Sequence, residues 1–205
     1  MPKYNPEKHH RRSIRFKDYD YSQAGVYFVT ICSWNRESIF GDIIDEEMRL
    51  NEYGQIVAEC WNAILDHFNH VELDESVFMP NHIHGIILIF DDNCRGEVSS
   101  PSLKSNKTIQ KGGVTPPLQK HTLGQIIAYF KYHATKCINQ IRNTPGIPIW
   151  HRNYYEHVIR NEDELNRIRE YILNNPLKWA EDENNPVNIK MNSSCRGAAL
   201  PSPRK

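Results

Sequence analysis

Apolar and polar positions recur along this chain in patterns that mark out seven elements. Residues 25–32, GVYFVTIC, are dense in β-branched and aromatic side chains and read as a strand. A loop or short hairpin is expected from Arg36 to Leu50. Within 55–68, Ile56, Val57, Cys60, Trp61, Ile64, Leu65 and Phe68 fall at helical spacing, just after a turn at Asn51–Gly54. Residues 71–79 alternate and stop at Pro80, and 82–90, HIHGIILIF, form the most apolar strand. Pro80-Asn81 supplies a turn, so these two strands should pair as a hairpin. Residues 122–142 place Leu123, Ile126, Ile127, Phe130, Ala134, Cys137, Ile138 and Ile141 on a helix that Gly146-Ile147-Pro148 stops. Residues 150–159 read as a strand. Residues 162–174 read as a helix, capped by Asn161, with three acids in its first turn and Pro176 after its end.

The first six elements spell β-α-β-β-α-β. The fold class expected is α+β: a ferredoxin-like, antiparallel sheet with helices on one face. The seventh element adds a C-terminal helix, and the other sheet face is left for a substrate or partner.

Composition narrows the class of protein. The chain has 205 residues and 39% hydrophobic residues, which suits one soluble globular domain. No window approaches 18 consecutive apolar residues, so no membrane span is expected. The N-terminus lacks the apolar stretch of a signal peptide. Five cysteines, at 32, 60, 94, 137 and 195, include no C-x-x-C pair. A disulfide framework is therefore not expected, and a reducing cytoplasm is. Residues 1–20 read as a basic arm and 21–186 as the domain. The stretch 91–120 reads as a mobile loop within that domain, and 187–205 as a disordered tail.

Charge changes the picture further. The formal net charge is zero, yet residues 1–17 carry six Lys/Arg and one acid. Residues 36–93 carry thirteen acids and two Arg, and residues 104–143 carry seven Lys/Arg and no acid. Two basic segments flank an acidic middle. Tyr129 and Tyr132 lie within the larger basic segment, and cations interleaved with aromatics suit single-stranded nucleic acid. A basic loop followed by a solvated helix face fits the same composition equally well.

The strand at 82–90 breaks its apolar pattern only at His82 and His84. Alternation puts both imidazoles on one face, about 7 Å apart along the strand, and turns Ile83 to the other face. Two imidazoles so placed can grip a divalent cation. They can equally be a pair of hydrogen-bonded surface histidines. Tyr171 and Asn175 are four residues apart, on one face of the last helix. A phenol can attack phosphorus and an amide oxygen can complete a metal site. Taken singly, Tyr171 also reads as a core tyrosine and Asn175 as an ordinary cap before a proline.

Together these residues match a family. VFMPNHIHGIILI resembles the histidine-hydrophobic-histidine strand of IS200-like single-tyrosine HUH transposases. LGQIIAYFKYHATKCIN and IWHRNYYEHVIRNEDELNRIREYILNNPLKW resemble the REP-associated tyrosine transposases more closely. The resemblance covers roughly residues 12–180 and implies a metal-dependent single-stranded DNA endonuclease and strand transferase. It makes Tyr171 the nucleophile, forming a 5′-phosphotyrosine, and His82, His84 and Asn175 the ligands of Mg²⁺ or Mn²⁺. The IS200 type has Gln where this chain has Asn175, whereas the REP-associated branch has Asn. The implied partner is single-stranded or hairpin DNA. Candidate DNA contacts are Arg11, Arg12 and Arg15 in the arm, with Lys131, Lys136, Arg152 and Arg160 in the domain; any of them can equally be a solvated surface charge. A homodimer is known in the IS200 type and monomers in the REP-associated branch, so both states stay open.

Three other readings compete. One is a non-catalytic hairpin-DNA-binding protein derived from a transposase. Another is a replication or mobilisation initiator, which normally needs a longer chain. The last is a zinc hydrolase using Glu72, His70 or His157 as a further ligand.

Overall fold

The fold is known from a computed structural model, which describes residues 24–90, 121–182 and 184–188. Arg11, Arg12, Arg15, the insert 91–120 and nearly all of the expected tail lie outside the described residues. The strands are β1 (Gly25–Cys32), β2 (Gly41–Ile44), β3 (Glu47–Leu50), β4 (Val71–Met79), β5 (His82–Ile89) and β6 (Tyr155–Ile159). The α-helices are α1 (Glu52–Asn62), α2 (Ile64–His67), α3 (Leu123–Arg142) and α4 (Glu162–Leu173).

Four strands form one sheet in the order β4-β5-β1-β6, and every neighbouring pair is antiparallel. This is the ferredoxin-like order expected from the element sequence. β4 and β5 are joined by a tight turn at Pro80-Asn81, as their flanking residues dictate. β2 and β3 form a separate hairpin. Its two loop residues, Asp45 and Glu46, both have positive φ, the backbone twist that a two-residue hairpin requires.

The alternation of the strands sends their side chains into two separate clusters. Tyr27, Val29, Ile31, Ile83 and Ile87 face α1 and α3, where they meet Val57, Trp61, Ile126, Ile127 and Phe130. The Trp61 indole occupies the space above Gly85, where an added Cβ would lie 2.4 Å from Trp61 Cζ2. On the opposite face Phe28 and Ile86 pack against Leu165 and Ile172 of α4. That face is therefore not left wholly open, as the sequence suggested. The apolar stripe of α4 covers part of it, and the tyrosine helix lies on the histidine side of the sheet.

Two element boundaries differ from expectation. The helix expected over 55–68 starts earlier and divides at Ala63 into α1 and α2. The strand expected over 150–159 is regular only from Tyr155. Trp150 makes an isolated bridge with Ser33, and the segment between is held by Lys131. Among the described residues, no helix is long and apolar enough to cross a membrane.

Candidate active site

His82 opens β5 and His84 follows on the same face, so the strand itself delivers both rings to one place. Both are buried, with 0% and 2% of their surface exposed. Their rings turn toward each other until the two Nε2 atoms are 3.0 Å apart. Two neighbouring ligands of an octahedral ion at ~2.1 Å stand about 3 Å apart, so this spacing suits a pair of metal-binding nitrogens.

The far nitrogens are tied to fixed partners. Asn81 donates its amide to the backbone carbonyls of Arg36 and Asn184, at 2.9 and 2.7 Å. Its Oδ1 must then accept, and it takes a hydrogen bond of 2.9 Å from His82 Nδ1. The lone pair of His82 is thereby directed to Nε2. Thr30 stands opposite His84 in the β1–β5 register, and its hydroxyl lies 2.8 Å from His84 Nδ1. With Nδ1–H donating to that hydroxyl, Nε2 of His84 also presents a lone pair. Outer partners of this kind fix the tautomer of a metal-binding imidazole.

Burial pushes the pKa of both imidazoles down to about 3. For His82 the Arg36 charge adds to that effect. For His84 the neighbouring His82 adds to it and Asp182 opposes it. Both rings are neutral at pH 7, as a ligand imidazole must be.

An acid completes the cluster. Asp182, just after the 3-10 helix Pro176–Glu181, puts Oδ2 at 3.8 Å from His82 Nε2. One ligand atom from each of His82, His84 and Asp182 lies within 4.8 Å of the others. Asn175 caps the same 3-10 helix and is only 3% exposed. Its Oδ1 is buried without a hydrogen-bond partner among the described residues. A buried carbonyl oxygen left unpaired carries an energetic penalty that a cation would relieve. Two imidazole nitrogens and a carboxylate are donors that divalent metal ions take. The residues present therefore fit a divalent ion.

Tyr171 projects from α4 toward this cluster. Its hydroxyl is 3.3 Å from His84 Nε2, and its ring meets Phe28 edge to face. Although Ile172 beside it is fully buried, Tyr171 itself is 44% exposed. It opens into a cavity of about 560 Å³ that also touches Thr30, Arg36, His84, His151 and Asn184. A phenol at such a cavity mouth is open to a ligand, which an ordinary core tyrosine is not.

The expected DNA contacts divide. Lys136, Arg152 and Arg160 are exposed. Lys131 is part-buried and its ammonium donates to the carbonyls of His151 and Asn153, at 2.9 and 3.1 Å. Desolvation by burial pulls its pKa down to about 8. Of the zinc alternatives, Glu72 is exposed, His70 stacks on His121, and His157 pairs with Glu164. Among the described residues none of these three joins the His82–His84 cluster.

Sequence reasoning missed Thr30, Arg36, Asn81 and Asp182. Arg36 reaches Asn184 Oδ1 at 2.8 Å and lines the tyrosine cavity, which places a fixed cation there. The sequence held one usable signal, an Asn immediately before the first histidine.

No family model matches the chain. It is 43% identical over 182 residues to an uncharacterized protein of Haemophilus influenzae (strain ATCC 51907 / DSM 11121 / KW20 / Rd). That match covers 88% of this chain and 96% of the relative. Among solved structures, the chain is similar to a REP-associated tyrosine transposase bound to a REP hairpin. The TM-score is 0.52 with 19% identity, over 82% of this chain and 74% of the other.

Proposed function

The chain belongs to the family of that Haemophilus influenzae protein and has the fold of a REP-associated tyrosine transposase, and on this premise we propose that it cleaves and rejoins single-stranded or hairpin DNA through Tyr171. The observation that carries this reading is the 3.3 Å approach of the Tyr171 hydroxyl to His84 Nε2, beside a buried His-His-Asp cluster.

His82, His84, Asp182 and the Asn175 oxygen would hold a divalent ion. When bound, such an ion would neutralise charge that grows on the phosphate oxygens. Tyr171 Oη would attack phosphorus in line. A P–O bond to tyrosine forms, the P–O3′ bond breaks, and the 3′ oxygen leaves as a hydroxyl. The phenol gives up its proton, and an equivalent proton ends on the leaving oxygen. A free phenol has a pKa near ~10, so loss of that proton needs local help. Arg36, on the cavity wall, supplies a fixed positive charge that favours the phenolate and holds a phosphate. The covalent intermediate conserves the energy of the phosphodiester, so attack by another 3′-hydroxyl rejoins strands without a nucleotide cofactor. A phosphate flanked by unpaired nucleotides has the freedom to turn into the cavity and align with a side chain on α4, hence single-stranded or hairpin DNA.

Hairpin oligonucleotides with single-stranded flanks, labelled at the 3′ end, test this directly. With Mn²⁺ or Mg²⁺ present, the label should migrate with the denatured protein. Binding without any covalent product would point instead to a hairpin-binding protein that has no strand-transfer activity.

A further inference from the structure

A second cavity, of about 320 Å³, adjoins the tyrosine cavity and is lined by Phe28, Tyr155, His157, Glu164, Arg167 and Ile168. Phe28 and Tyr155 border both spaces. Residues of β6 and α4 line both spaces, Tyr155 and Tyr171 the first and Tyr155, His157, Glu164, Arg167 and Ile168 the second. The transfer step described above uses none of His157, Glu164, Arg167 or Tyr155.

The composition of this second cavity is specific. Phe28 and Ile168 give it an apolar floor. Tyr155 is the first residue of the edge strand β6, and 53% of its surface is exposed. An exposed ring in an edge strand gives a flat face for stacking. The same lining includes a carboxylate held in one orientation. Glu164 Oε1 accepts from His157 Nε2 at 2.8 Å, and Oε2 accepts from the Arg160 backbone N–H at 2.9 Å. Asn161 caps the Glu164 backbone N–H at 2.8 Å. These donors hold the Glu164 carboxyl below its ordinary range, the Arg160 backbone N–H first and His157 next. Each carboxylate oxygen retains a further lone pair, so Glu164 can still accept hydrogen bonds from a ligand. Arg167 adds a cation to the lining.

We propose that this cavity is a subsite for one unpaired nucleobase next to the phosphate that Tyr171 attacks. Tyr155 stacks on the base, and Glu164 accepts from its amino group. Adenine, cytosine and guanine carry such a group, whereas thymine offers one ring N–H flanked by two carbonyl oxygens whose lone pairs would face the carboxylate, so the subsite disfavours thymine. Tyr155 and Glu164 are then specificity residues rather than catalytic ones. The proposal rests on the DNA-cleaving reading of the main site.

The test is selection of bound strands from hairpin oligonucleotides with randomised single-stranded flanks, using the full chain. Wild type should select against thymine at one flank position. Glu164→Gln should admit thymine at that position alone, because the amide offers both a donor and an acceptor. Tyr155→Ala should weaken binding of the best sequence roughly tenfold, whereas Tyr155→Phe, which keeps the ring, should bind like wild type. Identical base preferences in wild type, Glu164→Gln and Tyr155→Ala would overturn the subsite while leaving the main-site reading intact. Failure of wild type to select any DNA would overturn both.

Discussion

The Tyr171 hydroxyl lies 3.3 Å from Nε2 of His84. The two residues are 87 positions apart, on a helix and a strand, and α4 brings them together by packing Leu165 and Ile172 onto Phe28 and Ile86. The proposed nucleophile is thus set beside the proposed ligand pair by apolar contacts between α4 and the sheet.

The ligand set should be readable as metal affinity. Ala at His82, His84 or Asp182 should weaken Mn²⁺ binding, followed by calorimetry or by electron paramagnetic resonance of the free ion. Asn81→Ala removes no ligand but frees the His82 ring, and should reduce affinity roughly 10- to 100-fold. Unchanged affinity in Asn81→Ala would show that the amide does not orient His82.

Acid should destabilise the metal-free protein in a defined window. The two imidazoles titrate near 3 when folded and near the ordinary 6.5 when unfolded. Between those values the unfolded chain binds more protons, so stability falls as pH drops from about 6.5 toward 3. Above about 7 these groups contribute no slope. Thermal unfolding across pH 4 to 8 checks this; a His82→Gln, His84→Gln double variant should show a shallower acid limb.

Gly85→Ala should destabilise the fold by about 1–3 kcal/mol, because its Cβ would overlap the Trp61 ring in a packed core. Denaturant unfolding gives the value. A change near zero would mean that Trp61 moves freely, contrary to its burial between the sheet and Phe130.

Arg169, one half-turn before Tyr171, grips Asp74 of β4 through two hydrogen bonds of 2.9 and 2.6 Å. This ion pair fixes the rotation of α4 relative to the sheet. Asp74→Ala should slow adduct formation roughly tenfold by loosening the approach of the tyrosine, with Mn²⁺ affinity unchanged. Exchanging the charges, Asp74→Arg with Arg169→Asp, should recover much of the rate. Equal slowing in single and exchanged variants would assign the loss to something other than the pair.

These expectations draw on parts of the molecule that were unequally legible in sequence. The shared face of His82 and His84, and the burial of Ile83 behind them, follow from strand alternation alone. The ferredoxin-like order follows from element order once β4 and β5 are paired at Pro80-Asn81. The division of the first helix at Ala63 carries no Gly or Pro signal, and so it was invisible. Asp182 lies in a short irregular stretch without periodicity, and only the fold brings it to His82. Lys131 looked like a free cation on a helix face because its partners are backbone carbonyls, which sequence cannot distinguish. In the sequence Asn81 reads only as a turn residue, since its two carbonyl partners lie 45 and 103 positions away.

The central claim is that Tyr171 is the nucleophile. A 3′-labelled hairpin oligonucleotide should be incubated with Mn²⁺ and either wild type or Tyr171→Phe, then denatured and resolved. Wild type should carry the label covalently, and peptide mass mapping should locate a phosphonucleotide on Tyr171. Tyr171→Phe should bind the same oligonucleotide to within about threefold, since only a hydroxyl is lost, and should form no adduct. An adduct of undiminished yield in Tyr171→Phe, or one mapped to Tyr154 or Tyr155, would contradict the account.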